Sequence, residues 1–385
     1  MQKKFIALAL ASLAFAPAFA AETSVTVYGL VDMGYVNKGS NFDSAVKGRS
    51  AFESGVMKGS RFGVKAVEDL GNGISALATL EAGINADQGS SAQGGLGWGR
   101  QTFVGLKGNF GTVTLGRQNS SLYEIVSGGV DPFGLGTSGQ ASNIFTHITA
   151  RIDNSLRYQS PVFGNVFSVD ALYSTKVSGN EVAGNETTTT TTTNGVTTST
   201  TVGDRRGYSI APKFKFGTSV PVTLFAVYQD FKAKSAAKSD KSFDLGGTVD
   251  FKVVKLDAIL SQVKFEASPI AFTNADGKKT TAPKHNRFHF GASVPFDNGM
   301  TRLASYNSTK SQSAHAVVAA GGSSTFKAQQ LAIGGKYALS TRTNVYATYS
   351  TLTGNAAGSV YGDGDGSVGG LGYKRSFDLG INHAF

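Results

Sequence analysis

Residues 59–68 read GSRFGVKAVE, and the parity of this stretch decides the fold. Phe62, Val64 and Ala66 share one side, and Arg61, Gly63 and Lys65 the other. Alternation of this kind marks a strand with one apolar and one polar face. If the apolar side meets lipid, both cations point into water. A register slip of one residue would drive Arg61 and Lys65 into hydrocarbon, at roughly 2–4 kcal/mol each near the midplane. That cost turns the polar face toward an aqueous interior.

The same pattern recurs along the chain. Val25, Val27, Val31 and Met33 oppose Thr26, Tyr28 and Asp32; Tyr208, Ile210, Phe214 and Phe216 oppose Lys213 and Lys215. Phe288, Phe290 and Ala292 oppose Arg287 and His289, and residues 99–118 read as a hairpin turning at 107–110. The expectation is all-β: a transmembrane antiparallel β-barrel of about 16 strands, an even number that keeps both termini on one side. Connections alternate in length. Short ones are expected near Gly71, Asn109, Pro161, Thr218, Val254, Asp297 and Ser340, and long ones near 36–55, 86–98, 119–150, 177–204, 231–241, 266–284, 310–325 and 353–370. The alternative, a soluble all-β secreted protein, does not need two classes of turn.

Composition agrees. Glycine is plentiful at 49, proline scarce at 8 and cysteine absent, so an exported chain of 385 residues relies on one large structure rather than disulfides. Lys3, Lys4, an apolar run and Ala18-Phe19-Ala20 give residues 1–20 the form of a cleaved signal peptide, leaving 21–385 as the barrel domain. Nothing beyond that run is long and apolar enough for a transmembrane helix. The formal charge of +10 points to anionic solutes or surfaces, and export argues against nucleic acid.

Between residues 120 and 150 the alternation stops: SSLYEIVSGGVDPFGLGTSGQASNIFTHITA. A structureless insertion of this length inside a compact domain is usually functional. Its expected course is an inward-folded third loop that narrows the lumen, with Arg117 before it and Arg151 and Arg157 after it. The threonine-rich segment 187–201 has nothing to bury and is expected to be a mobile surface loop.

Several stretches together resemble a known family: SVTVYGLVDMG (24–34), SRFGVKAVEDLGNGISALATLE (60–81), GRQTFVGLKGNFGTVTLGRQ (99–118), RIDNSLRYQSP (151–161) and SFDLGINHAF (376–385). They are similar to the trimeric general porins of Gram-negative outer membranes, nearest the neisserial and β-proteobacterial branch. The resemblance implies a sixteen-stranded barrel, a homotrimer, an outer-membrane location among lipid and lipopolysaccharide, and a constriction where wall arginines face loop acids. Carried over, the wall set is Arg61, Arg100 and Arg151, with Arg117 as a fourth; the loop acids are Glu124 and Asp131. Arg100 shares parity with Val104 and Leu106, so periodicity alone does not turn it inward. Phe385, on an alternating last strand, is similar to the family's assembly signal.

Chemistry is sparse. The five histidines are His147, His285, His289, His315 and His383. His285 and His289 stand about 13 Å apart on a strand, too far to share a metal. No serine and acid are spaced to converge on any of them. The Asp363-Gly-Asp365-Gly segment has no closing glutamate for a calcium loop, and Asn185 has the form of a glycosylation acceptor that a bacterial barrel does not use. No cofactor, metal or catalytic residue is expected. The reading is a passive channel for small hydrophilic solutes and ions that prefers anions, with Lys65, Lys213 and Lys215 lining the lumen. A surface-adhesion barrel and a solute-specific channel are the alternatives.

Overall fold

A computed structural model describes residues 23–40, 47–177, 187–193, 196–202, 205–233, 238–266, 270–273, 279–282, 284–296, 299–312, 325–354 and 373–385. The signal segment, Asn185, Asp363 and Asp365 lie outside these residues. Sixteen antiparallel strands close into one barrel. The first seven are β1 (Thr23–Lys38), β2 (Arg61–Gly71), β3 (Ile74–Asn85), β4 (Gln101–Gly108), β5 (Gly111–Asn119), β6 (Arg151–Gln159) and β7 (Phe167–Ser174). There follow β8 (Arg205–Phe216), β9 (Val222–Ala233), β10 (Asp240–Asp250), β11 (Lys255–Phe265) and β12 (Lys284–Pro295). The last four are β13 (Met300–Gln312), β14 (Thr325–Ala338), β15 (Thr343–Thr353) and β16 (Arg375–Ala384).

Closure runs through β1. Its first half pairs with β2, from Thr23↔Glu68 to Leu30↔Arg61, and its second half with β16, from Leu30↔Ala384 to Lys38↔Ser376. The wall thereby has no open edge at β1, which a membrane demands because lipid offers the backbone no partners. Phe385 completes the seam: its N–H donates to the Gly29 carbonyl oxygen at 3.1 Å, and Gly29 N–H donates back to the Phe385 carbonyl at 3.1 Å. A Cβ on Gly29 would lie 2.2 Å from the Phe385 ring, so glycine there makes room for the terminal aromatic.

The faces follow the expected parity. Val104, Leu115, Leu156, Leu245 and Leu260 are exposed on the outside, while Gln118, Ser155, Ser209, Asn307 and Thr348 are buried on the inside. Tight turns separate β2 from β3 and β4 from β5, and long connections alternate with them. The threonine-rich segment corrects its expectation. Thr187–Thr193 pairs with Val196–Val202 as an antiparallel hairpin. Threonine is β-branched and favours extended backbone even without apolar surface to bury.

One long connection leaves the rim. Residues 120–150, called L3, form a short helix at Ser121–Ile125, a wider turn at Val126–Val130 and a 3-10 turn at Ala141–Asn143. Ser120 caps the helix by accepting the Tyr123 N–H at 3.1 Å. Leu122, Val126, Val130, Ile144 and Phe145 pack against Phe225, Val227, Ile259, Ala328 and Leu352. Where L3 lies on it, the inner wall from β8 to β15 therefore carries apolar side chains among its polar ones. The signal is legible in VTLFAVY (222–228), an apolar run without alternation, as expected of a strand buried on both faces.

Candidate pore constriction

L3 runs along the β8–β15 wall and reaches the first strands, which leaves β2–β6 facing it. At its far end Thr137 N–H donates to the Val56 carbonyl at 2.5 Å and Ser138 N–H to Asp378 Oδ2 at 2.5 Å. Gln330 Nε2 and Asn143 Nδ2 donate to the Ser138 carbonyl at 2.6 and 2.8 Å. A Cβ on Gly136 would stand 1.8 Å from the Met57 carbonyl oxygen, so only glycine passes this point.

On the facing wall one carboxylate organises three side chains. Arg100 Nε donates to Glu81 Oε1 at 2.7 Å, Tyr28 Oη donates to Glu81 Oε2 at 3.0 Å, and Arg61 Nη1 stands 4.0 Å from Glu81. Arg61 Nε also donates to the Gly59 carbonyl at 2.9 Å. Arg100 precedes the first residue of β4, so the outward parity of Val104 and Leu106 does not bind it. Its backbone N–H still donates to the Glu81 carbonyl at 3.1 Å while its side chain, 5% exposed, turns inward. Gly59 leaves the space: a Cβ there would lie 2.7 Å from Arg100 Nη1. Glu81 is absent from the expected set, whose acids, Glu124 and Asp131, both lie on the loop. Its inward parity with the buried Thr79 was the available signal.

Arg151 and Arg157 lie further round on β6, both buried. The Arg151 guanidinium is 5.9 Å from the centre of the Tyr123 ring on L3. Arg157 Nη2 donates to Glu124 Oε2 at 2.7 Å and its Nε to Asp170 at 3.1 Å, with a further Nη2 contact to Asp170. Glu124 thus meets a wall arginine across the L3 boundary. Lys65 Nζ sits 4.6 Å from the centre of the Tyr28 ring. Lys213, opposite the buried Phe225, borders a 290 Å³ recess with Glu124 and Asp170. Lys215 shares its parity and is exposed.

Residues 7–357 match the Gram-negative porin family. This chain is a Gram-negative porin. An outer membrane porin protein of Bordetella pertussis is 30% identical over 98% of the chain and 100% of the relative. The major outer membrane protein P.IB of Neisseria meningitidis serogroup B is 36% identical over 43% of the chain and 47% of the relative. Among solved structures, an anion-selective porin from Comamonas acidovorans superposes with a TM-score of 0.67 at 24% identity, covering 94% of this chain and 100% of that one. The protein is a channel of the Gram-negative outer membrane.

Two expected residues of the porin lie elsewhere. Asp131, 2% exposed, does not face the arginines: its carboxylate accepts the N–H groups of Phe133 and Leu135 at 3.0 Å and of Ala141 at 2.9 Å. It folds the loop on itself. Arg117 stands opposite Thr102, on the outward parity of Val104 and Leu115, where it pairs with Asp153 and donates to the Gly99 carbonyl at 2.9 Å. Gln118, on the inward parity of the buried Thr114, turns to Ser155 instead. Arg117→Ala is therefore expected to leave the chloride-to-potassium permeability ratio unchanged. A shift comparable to that of Arg100→Ala, in the same bilayer measurement, would return Arg117 to the lumen.

His147 binds loop to wall. Arg287 Nη1 donates to His147 Nδ1 at 2.5 Å, so the other ring nitrogen carries the proton and Nε2 donates to Asp244 at 2.8 Å. Ser261 Oγ lies 3.3 Å from the same Nε2, and Arg287 Nη2 donates to Thr146 Oγ1 at 2.9 Å. Burial, aided by the Arg287 charge and opposed by Asp244, holds the His147 imidazole below its ordinary pKa. A group depressed in this way and neutral when docked stabilises docking above its free pKa. That stabilisation fades as pH falls below about 6.5 and reaches its floor once the docked pKa is passed. Amide protection factors in residues 141–150, taken relative to intrinsic exchange at each pH, should fall between neutral and acid pH, and His147→Gln should remove that fall. An equal fall in the variant would exclude His147. Among the described residues no group of three or more His, Cys, Asp or Glu is placed to hold a metal ion.

Proposed function

We propose that this porin passes small hydrophilic solutes by passive diffusion and prefers anions. One observation carries the reading. Around the free side of the lumen Arg61, Arg100, Arg151, Arg157, Lys65, Lys213 and Lys215 stand against the carboxylates Glu81, Glu124 and Asp170. An excess of one sign in an aqueous passage with low-dielectric walls raises the local concentration of counter-ions. Arginine suits such a wall because it stays charged at any working pH and can hold a carboxylate or phosphate by two hydrogen bonds. The anion-selective porin with the same fold supports the reading. We further assign residues 1–20 to a cleaved signal, residues 119–150 to the constriction loop and Phe385 to assembly. The assembled unit is a homotrimer seated among outer-membrane lipid and lipopolysaccharide.

Liposome swelling tests the preference with solutes of similar size and opposite charge. Gluconate is expected to enter several-fold faster than N-methylglucamine, and equal rates would refute a charge-selective lumen. A second reading, an adhesion barrel, draws on the threonine-rich hairpin between β7 and β8. Deleting residues 185–201 separates the two: conductance survives the deletion if diffusion is the function, and partner binding is lost if adhesion is.

A further inference from the structure

The first turn of L3 does not lie flush on the wall. Between its helix (Ser121–Ile125) and strands β6–β8 there is a recess of 290 Å³. Glu124, Ile125, Ser168, Ala211 and Lys213 line it, and the short β6–β7 connection borders it at Val162. Lys213 and Ser168 pair across the β7–β8 ladder, in the inward rows of the buried Ala211 and Leu172. The recess therefore belongs to the lumen. At roughly 30 Å³ for each water it holds about ten, the bulk of a solute with about nine or ten heavy atoms.

The charges around it are not equally engaged. Asp170 accepts Arg157 Nε at 3.1 Å, Ser121 Oγ at 2.9 Å and Gln159 Nε2 at 3.3 Å, with a further contact from Arg157 Nη2. Arg157 in turn is held between Asp170 and Glu124 Oε2. Two groups stay open. Among the described residues, the donor to Glu124 Oε1 is the Asn119 amide at a long 3.4 Å, and the Glu124 side chain is 36% exposed. The half-buried Lys213 ammonium has no hydrogen bond or ion pair among the described residues, nor has the Ser168 hydroxyl. Partly buried polar groups are usually partnered, so an open ammonium and an open carboxylate oxygen in one recess describe what would fill it.

A plain anion would meet the carboxylates of Glu124 and Asp170, and a plain cation the charges of Lys213 and Arg157. A ligand with both charges meets neither objection. We infer that this recess is a subsite for a zwitterionic α-amino acid with a branched apolar side chain. Its carboxylate accepts from Lys213 and the Ser168 hydroxyl, its ammonium donates to Glu124, and its side chain lies toward Ile125 and Ala211. The inference rests on the passage of small hydrophilic solutes. It is independent of the lumen's ion preference, because the ligand carries no net charge.

The test follows chloride current through the full barrel in a planar bilayer, at constant ionic strength, as L-leucine is added to both sides. The current is expected to fall saturably to a plateau. 4-Methylpentanoate, which lacks the ammonium, and 3-methylbutylamine, which lacks the carboxylate, should need at least about tenfold higher concentration for half effect. Lys213→Gln and Glu124→Gln should each raise the half-saturating leucine concentration at least about tenfold, whereas Arg61→Gln on β2 should leave it unchanged. A linear fall matching that of an uncharged polyol of equal size would overturn the assignment. So would equal half-saturation by the three ligands, or a leucine plateau untouched by both substitutions. Should a variant fail to fold, the comparison of the three ligands on the unsubstituted barrel decides. Leucine saturation in a barrel that prefers potassium would refute the anion reading and uphold this one.

Discussion

Replacing Arg61 and Arg151 together by glutamate is expected to invert the sign of the zero-current potential. Each change removes one positive charge and adds one negative, four units in all across the passage between L3 and the β2–β6 wall. At about 8 Å in water one unit charge shifts an ion's free energy by roughly 0.5 kcal/mol, and salt screening over about 10 Å removes a good part of it. About 1 kcal/mol remains for each ion, with opposite sign for chloride and potassium, so their ratio moves by more than about tenfold. The neutral pair Arg61→Gln and Arg151→Gln should move the potential the same way by about half. Barrel closure does not depend on either side chain, so heat-modifiable folded protein should persist. An unchanged potential in folded double variant would remove both residues from the ion path.

Asp131→Ala is expected to free L3 without opening the barrel. Its carboxylate satisfies three backbone N–H groups at 2.9–3.0 Å inside a buried loop. Each donor left unsatisfied costs about 1–3 kcal/mol, so the folded course of the loop loses several kcal/mol. The β ladder is untouched, and the barrel's heat stability should hold. Single-channel records should show larger mean conductance with rapid flicker, and protease should cut within 131–141. Wild-type conductance with quiet traces would mean that apolar packing of Leu122, Val126 and Phe145 fixes L3 without the carboxylate.

The parity of GSRFGVKAVE carried most of the fold, because a one-residue slip moves two cations into lipid. The same rule found the other strands and the alternation of short and long connections. It failed where a side chain stands at the end of a strand: Arg100 precedes β4 and turns inward against its parity. Arg117 keeps the outward parity of Leu115, and its expected inward place came from the family resemblance. Glu81 is hard to read from sequence for another reason: a wall acid between wall arginines has no local signature beyond its parity. Asp131 lies six residues past the helix in a segment with no period, and its partners at 133, 135 and 141 are fixed only by the folded loop. The inward apolar residues Phe225 and Val227 were legible as an unbroken run, but not what they would pack against.

The most direct test of an arginine-governed passage is the zero-current potential of the purified porin in a planar bilayer under a KCl gradient. Chloride should pass faster than potassium, and neutralising Glu81 should enlarge the difference by releasing Arg61 and Arg100 from their carboxylate. A potential showing potassium passing faster would contradict the account.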